Sequence, residues 1–138
     1  DFVRIVGYEL IQDSGGAGVQ RGGLGFRRVY DILEDGILIS TNGDLHNTPP
    51  WSLAGGHEGN LSAHILVRDG VETHVPAASN IECQKGDRFI VEISGGGGYG
   101  DPSARNRALV QDDLRCGRIS AKSASAIYGL DQQELAAE

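Results

Sequence analysis

The chain has 138 residues, about one domain by length, with an ordinary apolar share, a single tryptophan and no methionine. Its net charge is −7: residues 1–102 hold seven Lys/Arg against fourteen Asp/Glu, and residues 103–138 hold five of each. Neither part is basic, which argues against nucleic acid and against an anionic membrane surface as partners.

Cys83 and Cys116 form no CxxC pair, so neither a zinc ribbon nor a thioredoxin-like motif is indicated. A disulfide between them stays open, beside the commoner case of two reduced, partly buried thiols. No run approaches the ~20 apolar residues of a membrane-spanning helix and no signal-peptide pattern is seen, so a cytoplasmic protein is expected. The chain starts at Asp1 without methionine, which reads as a processed product, a fragment or an incomplete chain.

Phe2 to Ile11 is an extended apolar run with apolar groups on both parities, so a strand covered on both faces is expected. Such a strand suggests neighbours in sequence outside this chain. Gly15 to Gly25 then holds six glycines in eleven positions. No helix or strand tolerates that density, so turns, positive φ or closely packed extended segments are implied.

Phe26–Glu34 and Ile37–Thr41 flank Asp35-Gly36, the strongest short hairpin signal. His64–Arg68 and Val71–Val75 flank Asp69-Gly70 in the same way, and Ile81–Gln84 and Arg88–Ile93 flank Lys85-Gly86-Asp87. In the last run Phe89, Val91 and Ile93 point one way and Arg88, Ile90 and Glu92 the other. Three sequential hairpins predict antiparallel sheet. Asn42 to Asn60 is a long loop with Pro49-Pro50 and Gly55-Gly56, of a length usually functional or flexible.

After Gly100 the pattern changes. Asp101-Pro102 reads as a cap followed by proline in the first turn, opening a helix over Ser103–Arg115 that stops at Gly117. Ser120 caps a second helix ending near Gly129, and Asp131 with Glu134 has capping-box spacing for a third.

Gly95 to Gly100 satisfies G-x-G-x-x-G, but no βαβ unit with a downstream acid follows, so a close-packed glycine turn is the better reading. No P-loop pattern and no G-x-S-x-G occurs, so neither a phosphate cradle nor a hydrolase elbow at Ser14 is indicated. His46, His57, His64 and His74 show no metal-ligand spacing, and no metal or cofactor is expected on this chain. Asp44 and His46 are the catalytic candidates: two apart on an extended loop, they share a side. They fit either an acid orienting an imidazole or a loop-stabilising hydrogen bond. His57 is expected to be exposed, and His64 and His74 to face each other across one hairpin. Arg21, Arg27 and Arg28 fit either anion binding or surface ion pairs. The tail resembles a helix-turn-helix only in outline, and its neutral charge argues against DNA.

Several stretches in order resemble the C-terminal end of the hydantoinase B family, which includes the B halves of ATP-dependent hydantoinases and 5-oxoprolinases and related ketone carboxylase subunits. They are Tyr8-Glu9-Leu10-Ile11-Gln12-Asp13-Ser14-Gly15-Gly16-Ala17-Gly18, Arg21-Gly22-Gly23-Leu24-Gly25, Asp44-Leu45-His46 with Pro49-Pro50-Trp51-Ser52-Leu53-Ala54-Gly55-Gly56, Lys85-Gly86-Asp87, Gly95-Gly96-Gly97-Gly98-Tyr99-Gly100-Asp101-Pro102, and Gly117-Arg118-Ile119-Ser120 with Ala126-Ile127-Tyr128-Gly129-Leu130. Leu45 departs from the family, which often has arginine there.

The resemblance implies a mainly β fold: antiparallel barrel-like sheets, glycine-rich polyproline II-like segments and a short helical C-terminal tail. Residues 1–102 would form the β region and 103–138 the tail of the same domain. Polyproline II segments have no internal hydrogen bonds. Glycine lets them approach closely enough to bond one another, which gives Gly15, Gly16, Gly18, Gly22, Gly23, Gly25, Gly95, Gly96, Gly97, Gly98 and Gly100 a structural role. The resemblance also implies a C-terminal segment of the B-type subunit of an ATP-dependent cyclic-amide hydrolase, serving as scaffold and part of the site wall and inactive alone. ATP and Mg are expected on a hydantoinase A-type partner, and a divalent metal in the N-terminal part of the B-type subunit. The partners implied are that A-type subunit, the rest of the B-type subunit and a small-molecule substrate. A ketone carboxylase subunit and a non-catalytic glycine-rich β interaction module are the alternatives.

Overall fold

The computed structural model describes residues 1–131 and 133. The elements run β1 (Val3–Leu10), β2 (Phe26–Ile32), β3 (Ile37–Asn42), β4 (Ala63–Arg68), β5 (Val71–Val75), β6 (Ala78–Cys83), β7 (Arg88–Ile93), a 3-10 turn (Pro102–Ala104), α1 (Arg107–Arg115) and α2 (Ala121–Ala126). Two compact units result, each drawn from segments remote in sequence. The first contains Asp1–Glu9, Phe26–Thr48 and Leu61–Ile93; the second contains Leu10–Gly25, Pro49–Asn60 and Ser94–Glu138. The fold is mainly β with antiparallel pairing and a short helical C-terminal part, and no closed barrel occurs among the described residues.

In the first unit one sheet has the order β1-β2-β7-β4-β5 and the other pairs β3 with β6. Of the three expected hairpins only β4–β5 folds back on itself, with Arg68 opposite Val71. The other two are corrected: β2 pairs with β7, and β3 with β6. The reason lies in the turns, which bond each other instead of closing their own strands. The Gly36 N–H donates to the Cys83 carbonyl at 3.1 Å, the Gly86 N–H to Ile32 at 3.0 Å, and the Lys85 N–H to the Asp35 carboxylate at 2.9 Å. A β2–β7 pair thus turns a corner and continues as a β3–β6 pair. Asp87 is almost fully buried at this corner, accepting from Arg68 Nε at 2.9 Å and from the Gln84 N–H at 2.8 Å.

The alternation predicted for β7 holds. Phe89 is buried opposite Tyr30 and Leu66, and Val91 lies opposite Arg28 and His64. On the other face Arg27–Glu92 and Asp31–Arg88 stand directly opposite in register and form ion pairs. The anion-binding option for the arginines therefore gives way. Arg27 pairs with Glu92 and Glu9, Arg28 lies over the Tyr8 ring at 4.6 Å, and Arg21 is bound to Asp113. β1 is the sheet's edge, and Phe2, Ile5, Val6, Tyr8 and Leu10 are all exposed. Within this chain the expected double cover is absent.

The second unit is held by a small apolar core of Ala17, Val110, Ile119, Ala124, Tyr128 and Leu130. The single helix expected over 103–115 is divided. Asp101 caps only the 3-10 turn, accepting from the Ser103 N–H at 2.9 Å. Asn106 then caps α1, accepting from the Ala108 N–H at 2.9 Å. A second capping residue so close to the first restarts the chain and delays the α-helix by four positions. Ser120 caps α2 as expected, and Gly117 and Gly129 follow the two helices at φ 68° and 70°. Most of the third expected helix lies outside the described residues. Asn106→Ala is expected to cost about 1 kcal/mol of stability, read as a lower urea midpoint with unchanged slope.

Candidate functional site

Glycine placement decides what the second unit can do. Gly15–Gly25, Pro50–Gly59 and Gly95–Gly100 lie mostly outside strand and helix and bond one another. The Gly16 N–H donates to Gly96 at 2.8 Å, Gly96 to Gly23 at 2.9 Å, His57 to Ala17 at 2.7 Å, Gly98 to His57 at 2.9 Å, and Asn60 to Ser14 at 3.0 Å. Bonds between runs replace the ladder bonds that such runs lack, which is what the expected polyproline II-like segments would require.

Side chains are excluded by sterics. A Cβ on Gly22 would lie 2.0 Å from the Gly96 carbonyl oxygen, and one on Gly98 2.0 Å from that of Ala17. Gly15, Gly18 and Gly95 face backbone at 2.3–2.6 Å in the same way. Gly96 is less confined at 3.4 Å, and a Cβ on Gly23 would meet nothing within 4 Å. Gly25 anchors the bundle's end by donating to Ser14 Oγ at 2.8 Å, and Gly100 closes it with φ 75°. Ser14 is thereby occupied in structure: its hydroxyl donates to the Ile11 carbonyl at 2.6 Å. Gly95, Gly96, Gly97 and Gly98 face other backbone, Gly100 faces the Val19 side chain, and Gln20 and Leu53 form isolated β-bridges to Tyr99.

An arginine–carboxylate network backs the bundle. Asp113, almost fully buried, accepts from Arg21 Nε at 3.0 Å, Arg105 Nη2 at 2.9 Å and Arg118 Nη1 at 3.3 Å. Arg105 also donates to the Val19 carbonyl at 2.8 Å.

The candidates Asp44 and His46 lie in the first unit. Leu45 between them has φ 61°, so the loop is not extended there, and no hydrogen bond joins Asp44 to His46. Asp44 is exposed. His46 instead stands beside His64, with ring centroids 4.5 Å apart. The Leu45 carbonyl accepts from the Ser62 N–H at 2.9 Å, which ties the loop to the chain leading into β4. The expected His64–His74 facing pair is not formed. The register sets His64 against Val75 and His74 against Ile65, so the two rings point to opposite faces. His57 is exposed as expected.

His64 borders a cavity of about 420 Å³ lined also by Tyr30, Ile39, Thr41, Phe89 and Val91. Burial, and then the neighbouring His46, lower its pKa below the ordinary 6.5, against a smaller opposing effect of the Pro76 carbonyl. A base whose folded pKa is depressed stabilises the fold above its unfolded pKa, and that stability fades as pH falls. Urea unfolding is therefore expected to be easier at about pH 5 than at about pH 7.5, and His64→Gln should reduce the difference. An NMR titration of His64 with its midpoint above 6.5 would contradict this. Cys83 and Cys116 are free thiols; burial raises the Cys83 pKa. Among the described residues no group of three or more His, Cys, Asp or Glu is arranged to hold a metal, and no helix is long and apolar enough to cross a membrane.

Comparison with known proteins adds the deciding observation. Residues 3–102 match the family model described as hydantoinase B/oxoprolinase. The chain belongs to this family. It is 36% identical to the beta subunit of caprolactamase from Pseudomonas jessenii over 128 residues, covering 89% of this chain and 22% of that protein. The crystal structure of the ATP-dependent caprolactamase from that organism superposes with a TM-score of 0.83 at 33% identity, over 96% of this chain and 24% of that one. The B component of a putative D-/L-hydantoinase from Pseudomonas sp. (strain NS671) is 31% identical over 96% of this chain and 23% of its own length. Nucleotide-free acetone carboxylase shares the fold, with a TM-score of 0.80 at 19% identity over 99% of this chain and 24% of that one. The chain thus spans about a quarter or less of the length of the relatives it matches.

Nothing in the residues marked Asp44 as separate from His46. The left-handed turn at Leu45 hid it, because leucine carries no signal for positive φ. The His46–His64 pair was missed for a related reason: it joins a loop to a strand and has no sequence spacing.

Proposed function

We propose that this chain acts as the C-terminal portion of the B-type subunit of an ATP-dependent cyclic-amide hydrolase, as scaffold and wall of a site completed by other polypeptide. The observation that carries the reading is the likeness to the ATP-dependent caprolactamase, in fold and at 33% identity. The glycine bundle supports it, since its backbone faces are turned to one another and leave little chemistry to the segment itself. The caprolactamase and hydantoinase relatives are each named as one subunit of their enzyme, which favours partner subunits here. The exposed apolar groups of β1 fit a strand that adjoins further polypeptide. On this reading ATP and Mg sit on an A-type partner and a divalent metal in the preceding part of the B-type subunit. The amide oxygen would take the γ-phosphoryl group and release ADP; one water would add to the activated carbon and expel the ring nitrogen as the amine, and a second water would hydrolyse the resulting acyl phosphate to the ring-opened acid and phosphate. Asp44 and His46 remain the chain's candidates for contact with substrate.

The test uses the complete assembly, an A-type subunit with a full-length B-type subunit ending in this chain. Incubation with caprolactam, hydantoins or 5-oxoproline should yield ring-opened acid with matching ADP. ADP formed only with a ketone and bicarbonate would replace the reading with carboxylation. Failure of any partner to co-purify, with no turnover, would favour a non-catalytic interaction module.

A further inference from the structure

Two ring nitrogens inside the first unit have no hydrogen-bond partner: Nε2 of His46 and Nδ1 of His64. Buried polar atoms are almost always partnered, so two orphans in one place call for a physical reason. His64 is 7% exposed, and its ring centroid lies 4.5 Å from that of His46, with the ring planes at 58°.

The chain brings them together at a cost. Leu45 sits at φ 61°, a region leucine rarely adopts, and backbone strain of this kind collects at functional positions. The space between the rings is kept open by a glycine. A side-chain carbon on Gly43 would lie 2.6 Å from His46 Nε2 and 3.0 Å from His64 Cε1, the carbon bonded to the orphaned nitrogen. The Pro76 carbonyl interacts with the His64 imidazole. Nδ1 has no partner, so that carbonyl serves the other nitrogen and leaves Nδ1 as the lone-pair side. A backbone carbonyl behind a ring is the usual support for a metal-bound histidine.

An anion there would favour a charged His64 ring, which burial and then the neighbouring His46 disfavour. Magnesium and calcium prefer oxygen donors, whereas imidazole suits zinc, copper and nickel. We infer that His46 Nε2 and His64 Nδ1 are the two protein ligands of a first-row divalent cation of the zinc class, seated over Gly43 with exchangeable ligands completing its shell. The inference does not depend on the amide-hydrolase reading.

Calorimetric titration of the 138-residue chain with Zn²⁺ near neutral pH, with NMR of the histidine ring nitrogens, tests it. One saturable site per chain is expected below about 1 mM, shifting His46 Nε2 and His64 Nδ1 and leaving the His57 and His74 rings unmoved. His46→Gln and Gly43→Ala should each weaken uptake at least about tenfold, and His74→Gln should not. If His64→Gln fails to fold, the His46 and Gly43 variants still decide the matter, because His46 is only half-buried. No saturation below about 1 mM, uptake that survives His46→Gln, or shifts confined to His57 or His74 would overturn the site.

Discussion

Gly97→Ala is expected to unfold the second unit. A Cβ at this position would lie 1.8 Å from the Trp51 carbonyl oxygen and 2.6 Å from its carbonyl carbon, far inside any tolerable contact. Both atoms are backbone, so no rotamer change relieves the clash. Trp51 cannot retreat easily, because the bonds of Leu53 to Gly98 at 3.1 Å and of Gly59 to Pro50 at 3.2 Å hold its segment on either side. The loss should exceed about 4 kcal/mol, at the extreme of single substitutions. Gly23→Ala is the control: with 4 Å of open space and no left-handed φ, it should change stability by about 1 kcal/mol or less. Urea unfolding followed by helical circular dichroism reads both, since α1 and α2 belong to the second unit. Equal midpoints for Gly97→Ala and Gly23→Ala would show that the bundle is not packed as described.

Asp113→Ala should cost about 3–5 kcal/mol, because it removes the buried carboxylate that pairs the Arg21 and Arg105 guanidiniums. Asp113→Asn keeps the shape and should lose less. The same network sets an acid limit. Burial alone would raise the Asp113 pKa, but hydrogen bonds and charge from Arg21, with Arg105 behind, outweigh it and hold the carboxyl below 3.8. A carboxyl depressed in the fold contributes stability above its unfolded pKa and loses it as pH falls through the folded value. Stability should therefore drop below about pH 4, and Asp113→Asn should flatten that limb. An unchanged acid limb in the variant would assign acid unfolding to other groups. Replacing Asp113 together with Arg105 by apolar residues is expected to recover part of the loss.

Much of this architecture was legible from residues alone. Glycine density between 15 and 25 forbade regular structure, and the backbone bundle met that expectation. The alternation of β7 and the Ser120 cap were equally direct, because each depends on neighbours in sequence. The failures share one cause. Asp35-Gly36 and Lys85-Gly86-Asp87 carry hairpin signals, but a turn specifies its own bend and not its partner. Their mutual hydrogen bonds join residues about fifty apart, which no local pattern encodes. The Asp44–His46 side-sharing argument failed locally, on one left-handed leucine. The Arg21–Asp113 and His46–His64 pairs link distant elements and left no trace in spacing.

The bundle also has a kinetic consequence. Its three runs begin near residues 15, 50 and 95, and most of their bonds join one run to another. Two long loops must close before those glycine contacts are rewarded, and closure entropy is spent at the start. Such a unit should assemble late, in one concerted event, after the helices beyond residue 101 have formed transiently. Severing any one run would leave the other two as largely unpaired coil instead of a weakened remnant.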